Sequence, residues 1–215
     1  VMYHGTRSMK YGKELPKFSE FSREKLRSGQ NAVGFYFGET EDFVKSFGDR
    51  VIPVYLRMTN PKIYKNGTPS SQELQLEQKL VDESKRDDEK YYYQRLLNDT
   101  KKYTDSYDKF VMDIYHKSGL IPYHNRVEGN FNDAYYLGID ESKRVANYYA
   151  KSLQEEGFDG VIIVDTNIDS RSNQGKANTQ YVVFEPNQIK STQNRGTFSK
   201  DTGNIYKQTK KSSGL

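Results

Sequence analysis

Three short stretches place polar or aromatic side chains on or beside strand-like segments, where a rigid backbone can hold a ligand. The first is Tyr3-His4-Gly5-Thr6-Arg7, in which His4 ends a strand next to a glycine whose bare backbone lets a ligand approach closely. The second is Gly34-Phe35-Tyr36-Phe37-Gly38, an aromatic strand bracketed by glycines. The third is Asn178-Thr179-Gln180-Tyr181-Val182-Val183-Phe184, a strand ended by Pro186. Taken singly, each also has a plain structural reading. A strand-end His before Gly is often a turn residue, and an aromatic strand is often core.

Other chemistries fall away. Cysteine is absent, which removes thiol nucleophiles, disulfide scaffolds and Cys-ligated metals, and none of the three His forms a close pair at metal-ligand spacing. There is no G-x-x-x-x-G-K-[ST], no G-x-G-x-x-G after a strand, no H-E-x-x-H and no G-x-S-x-G. Kinase, metalloprotease and hydrolase readings go with them. The carboxylates of the central segment sit at solvated positions and make a poor glycosidase pair. His116 and His124 carry no motif and read as surface or turn residues.

The elements that must position these residues follow from composition and pattern. A chain of 215 residues suits one domain, or one domain with a large insertion. Hydrophobic residues make up 34% and mean hydropathy is -0.95, so the core is modest. Yet 18 Tyr and 11 Phe are too many for a disordered chain. No apolar run approaches the roughly 20 residues that cross a bilayer. The opening Val1-Met2-Tyr3-His4 carries neither an initiator Met nor a signal peptide, which reads as a piece of a longer protein or a processed product. From Asn187 onward the chain is basic, with Lys190, Arg195, Lys200, Lys207, Lys210 and Lys211 against Asp201. Such a segment can meet nucleic acid or an acidic partner, but scattered lysines suit a solubilising tail.

Strands are expected near Val1–Tyr3, Gly34–Gly38 and Val51–Leu56, with a short helix over Glu39–Phe47 whose N-cap is Thr40. Ser70 to Lys117 lacks Gly and Pro, and its apolar residues recur at helical spacing. Two or three amphipathic helices are expected there, with a break near Asn98-Asp99-Thr100. Tyr91-Tyr92-Tyr93 cannot share one helix side, so some pack and some face water. Further on, a helix over Asp140–Glu156 precedes a Gly157-Phe158-Asp159-Gly160 turn, a buried Val161–Val164 strand, a polar loop to Asn178 and the third motif. Strands flanking a helical block predict an α+β fold with two small sheets and peripheral helices. The expected division is one domain over 1–206, a helical insertion at about 70–118 and a basic tail over 207–215.

In combination and order the three motifs resemble the ADP-ribosyltransferase superfamily, in its His-Tyr-Glu branch of diphtheria-toxin-like and poly(ADP-ribose)-polymerase-like enzymes. The chain looks closer still to modules of phage polyvalent proteins and bacterial toxins. Pro186-Asn187-Gln188-Ile189-Lys190-Ser191, Asn194-Arg195-Gly196-Thr197-Phe198 and Asn204-Ile205 extend the likeness, which covers roughly 1–62 and 137–206. The resemblance implies a split-sheet core, NAD as co-substrate, and a mono-ADP-ribosyltransferase acting on a host protein or nucleic acid. It implies no membrane, a longer parent polypeptide and the host cytosol as the place of action. His4 would bond the adenosine ribose, and the Gly5 backbone would hold the nicotinamide amide. Tyr36 would stack on the nicotinamide ring. Phe47 would be a second stacking aromatic, with Thr6 or Ser46 as polar contacts.

The third position departs from the pattern, because Gln180 stands where the family's catalytic Glu is found. Three readings follow: a substitution that silences a toxic enzyme, a native residue of an active mono-transferase, or an inactive NAD-binding or scaffold module. Polymer elongation in the superfamily relies on that Glu, so chain formation is not expected. Asn178 replaces the acid that arginine-directed transferases carry two residues earlier, which argues against an arginine target. The resemblance makes Asp165–Asn178 the target-recognition loop, with Glu185 a weak stand-in for the missing acid. A third class of reading, a basic nucleic-acid adapter, would make the strand motifs core alone.

Overall fold

The computed structural model describes residues 1–26, 29–118, 139–166, 178–194, 197–198 and 203–207. The described strands are β1 (Met2–Thr6), β2 (Met9–Lys10), β3 (Lys13–Glu14), β4 (Phe35–Gly38), β5 (Arg50–Leu56), β6 (Pro61–Tyr64), β7 (Gly160–Thr166), β8 (Asn178–Val183) and β9 (Ile189–Ser191). The helices are α1 (Glu41–Lys45), α2 (Ser71–Glu83), α3 (Asp87–Lys102), α4 (Ser106–Lys117) and α5 (Ile139–Glu155). Seven strands form one sheet in the order β6-β7-β8-β4-β1-β5-β9, while β2 and β3 make a separate hairpin. The fold is α+β, as expected. The two small sheets expected from sequence are halves of this single sheet, meeting where β1 pairs with β4 through Tyr3 opposite Gly38. By contrast β1 pairs with β5 from Met2–Val54 to Thr6–Arg50. The join between the halves is therefore narrow, and a cleft opens beside it.

Alternation along the strands builds a core on each face. Phe35, Phe37 and Val183 turn to one side with Ile52, Val54 and Phe21. Val182, Val161 and Ile163 turn to the other, under Phe110 of α4 and Tyr149 and Leu153 of α5. Full burial of such a side chain stabilises by about 2 kcal/mol.

Two glycines are required by close approach at the join. A Cβ on Gly38 would lie 2.3 Å from the Phe43 ring, and one on Gly5 would lie 1.9 Å from the Val44 carbonyl oxygen. Both belong to the backbone on which α1 rests. Thr40 caps that helix by accepting from the Phe43 N–H.

The helical block is α2, α3 and α4. Ser70 and Glu73 form a capping box that starts α2. The break expected at Asn98-Asp99-Thr100 is absent, since α3 runs on to Lys102. Those poor helix formers are held by partners: Asn98 accepts from Gln94, Thr100 donates to Glu77 at 2.8 Å, and Asp99 is buried near Arg95. The real breaks fall at Ser84–Arg86 and Tyr103–Asp105. Of the apolar residues that recur at helical spacing in α2, Leu76 and Leu80 are exposed and Val81 is buried. His116 is no surface residue. It is partly buried in α4, its Nε2 3.7 Å from Asp99 Oδ2. His124 lies outside the described residues. Tyr91 is exposed, whereas Tyr92 donates to the His116 carbonyl. Among the described residues no helix is long and apolar enough to cross a membrane.

Candidate active site

A cleft of about 600 Å³ lies beside the join of the two half-sheets, and His4, Gly5, Tyr36 and Gln180 all line it. They come from β1, β4 and β8, neighbours across the join. Sequence separations of 32 residues between His4 and Tyr36, and far more to Gln180, are thus closed by strand pairing.

His4 is fixed from several sides. Its Nδ1 lies 2.8 Å from the Tyr36 carbonyl oxygen, which can only accept, so Nδ1 carries the proton. Phe21 meets the ring edge-on at 5.0 Å, with Phe37 at 5.5 Å and Phe18 at 6.0 Å. Burial pushes the imidazole below its ordinary pKa, and the Tyr36 carbonyl only partly opposes that shift. The ring is therefore neutral near pH 7, with Nε2 as a hydrogen-bond acceptor suited to a hydroxyl group.

Tyr36 packs against the core under α4 and α5. Burial, reinforced by nearby Tyr107, pushes its phenol well above the usual tyrosine range, so it stays protonated. Gln180 is 5% exposed, paired with Gly38 on one side and Ile163 on the other. An amide buried there is neutral at every pH. It offers an acceptor oxygen and an N–H donor but no charge to set against a developing cation.

The other expected residues divide. Thr6 and Phe47 line the cleft. Phe47 is 47% exposed and stands edge-on to Phe43 at 5.4 Å. Ser46 is outside the cleft lining, and its hydroxyl donates to the Phe43 carbonyl at 2.8 Å, closing the end of α1. Glu185 faces a separate, smaller groove, where it caps the turn at Pro186–Gln188 and accepts from Gln154. It is not a carboxylate of this cleft. Most of the Asp165–Asn178 loop lies outside the described residues.

Sequence reasoning passed over several wall residues. Among the described residues, Arg7, Lys10 and Lys25 line the cleft against a single acid, Glu20, which favours an anionic ligand. Arg7 sat inside the first motif, so its charge was readable; Lys10 and Lys25 had no signal. The wall bearing Phe18 and Phe21 is held by Arg50, which donates to the carbonyls of Leu15 and Pro16. The distant segment 203–207 also grips it, through Phe21 N–H to Gly203 O and Ile205 N–H to Ser19 O, both 3.1 Å. Asn204 and Ile205 thus stand behind the cleft wall. Among the described residues no His, Asp or Glu cluster suits a metal ion.

A family model described as ADP-ribosyltransferase in polyvalent proteins matches residues 1–198, including the helical block that carried no likeness in sequence. No curated protein and no solved structure matches the chain significantly.

Proposed function

Because the chain belongs to the family of ADP-ribosyltransferases in polyvalent proteins, we propose that it binds NAD in the cleft between its half-sheets and transfers ADP-ribose to a macromolecular acceptor. The observation that carries this reading is the convergence of His4, Gly5, Tyr36 and Gln180 on one cleft with a cationic wall. His4 Nε2 accepts from an adenosine ribose hydroxyl. The Gly5 N–H and C=O take the nicotinamide amide, Tyr36 covers the nicotinamide ring, and Phe47 and Thr6 add a second aromatic and a polar contact. Arg7, Lys10 and Lys25 suit the diphosphate.

In the reaction, the bond between the nicotinamide nitrogen and ribose C1′ breaks, and its electron pair leaves with neutral nicotinamide. The sugar passes through an oxocarbenium-like state, as in glycosyl transfer generally. An acceptor atom bonds to C1′ and gives up its proton to solvent. A single ADP-ribose is added per acceptor site. Gln180 bonds a hydroxyl of the nicotinamide ribose and holds its position, but lacks the negative charge that would stabilise the cationic sugar. Losing one such preorganised group costs about 100- to 1,000-fold in rate. The same neutrality favours a second reading, an NAD-binding module with little turnover. In either case the setting is a larger polyvalent protein of a phage or bacterium; with turnover it acts as an effector or toxin in a host cytosol.

Titration calorimetry with NAD on the intact chain, on Tyr36→Ala and on His4→Ala tests the binding claim. NAD should bind the intact chain, and Tyr36→Ala should weaken it about tenfold, the size of a lost ring contact with its buried area. Equal affinity in all three, with melting unchanged, refutes the assignment of this cleft.

A further inference from the structure

The helical block reaches the cleft. Tyr107, the second residue of α4, lines the same cavity as Tyr36 and Gln180. Its ring packs on the core cluster that includes Phe110, 6.2 Å away between ring centroids. Its phenol is close enough to that of Tyr36 to raise the latter's pKa.

The start of α4 is fixed at Tyr107 itself. The Tyr107 N–H donates to Asp105 Oδ1 at 2.8 Å, and the preceding Ser106 N–H donates to Asn66 Oδ1 at 2.7 Å. Lys109 Nζ bonds the carbonyls of Lys65 and Gly67 at 3.1 and 2.7 Å. Further along, Asp113 Oδ2 accepts from Lys62 Nζ at 2.7 Å, from the Tyr149 hydroxyl at 3.1 Å and from the Tyr64 hydroxyl. Lys62 and Tyr64 belong to β6 and Tyr149 to α5, so one carboxylate ties the block to both the sheet and the covering helix. Groups held this firmly before binding lose little freedom when a ligand arrives.

We infer that Tyr107 is a substrate-binding residue supplied by the helical block, contacting the nicotinamide end of NAD, and that the Asp113 anchor places it there. This rests on the NAD reading of the cleft. Tyr107 lies with Tyr36 and Gln180, the groups assigned to nicotinamide and its ribose; ADP-ribose keeps that ribose but lacks the nicotinamide ring, so a contact to the ring is absent from it. The block therefore forms part of the site and biases the cleft toward NAD over its own hydrolysis product.

The test compares the affinities of NAD and ADP-ribose for the intact chain and for Tyr107→Leu, Tyr107→Phe and Asp113→Asn, with melting curves for each. Tyr107→Leu keeps an apolar side chain against the core. It should lose about tenfold in NAD affinity, as for one aromatic contact, while ADP-ribose affinity stays within about twofold. Tyr107→Phe keeps the ring and should recover most of the NAD preference even if Tyr107→Leu folds poorly. Asp113→Asn should lower the same preference. If the intact chain binds both ligands and Tyr107→Leu and Tyr107→Phe leave their ratio unchanged, Tyr107 has no such role. An Asp113→Asn chain that melts lower but keeps the intact ratio overturns the anchoring claim. Failure of the intact chain to bind either ligand refutes the NAD reading, and this inference with it.

Discussion

Gly5→Ala is a sharp perturbation because the atom it adds has nowhere to go. The new Cβ would lie 1.9 Å from the Val44 carbonyl oxygen and 2.9 Å from its carbon. Both are backbone atoms of α1, so no rotamer change relieves the contact. Either α1 or β1 must shift by about 1 Å to restore even a tight separation. Overpacking of this kind costs about 1–3 kcal/mol. For a chain of this length each kcal/mol lowers the melting temperature by roughly 2–4 °C, so a fall of about 2–12 °C is expected. The shift also reaches the site. β1 meets β4 through a single registered pair, so moving β1 stretches the 2.8 Å bond between His4 and the Tyr36 carbonyl. Calorimetric melting and NAD titration on the purified variant read both effects. Val44→Ala added to Gly5→Ala should not rescue either one, because the clashing atoms are main chain. Unchanged melting and unchanged NAD affinity in Gly5→Ala would refute the argument, as would full rescue by Val44→Ala.

Two other perturbations follow from burial. The folded-state pKa of His4 is lowered by burial, so the unfolded chain takes up its proton first on acidification. Its contribution to stability is complete above about pH 6.5, the unperturbed histidine value, and is lost as pH falls below it. Protonation of the folded chain, which follows the lowered pKa, also removes the Nε2 acceptor, so NAD affinity should fall at the acid end of that range. His4→Gln should flatten both profiles; an affinity that rises on acidification contradicts the acceptor role of Nε2. Phe110→Ala removes a ring of zero exposure from between α4 and the sheet, and should cost about 3–5 kcal/mol, read by urea unfolding. A loss below about 1 kcal/mol would mean that α4 does not pack as described.

Much of the candidate site was legible because local rules and global pairing agree there. Gly34 and Gly38 bracket an aromatic strand, and Thr40 stands where a helix needs its cap, so β4 and α1 announced themselves. What sequence could not carry was long-range closure. Two separate groups of strands read as two sheets, since nothing local shows that Tyr3 pairs with Gly38. The break expected in α3 is absent because Asn98 bonds Gln94 within α3, Thr100 bonds Glu77 of α2, and Asp99 is buried beside Arg95 at 4.0 Å, which together outweigh their weak helix propensity. Leu76 and Leu80 kept helical period yet face outward, since period fixes a face but not what covers it. Ser46 was plausible by position, but its hydroxyl is used by its own helix end. Tyr107 had no motif at all; only the docking of α4 against the sheet brings it to the cleft.

The most direct measurement is nicotinamide release from NAD by this chain and by its Gln180→Glu variant, each supplied with a lysate as a source of acceptors. Gln180 stands on the cleft wall with Tyr36, where a carboxylate would stabilise the cationic sugar. Release should therefore rise about 100- to 1,000-fold in the variant, with labelled ADP-ribose appearing on an acceptor. Silence from both chains, with NAD affinity indifferent to His4 and Tyr36, would contradict the account.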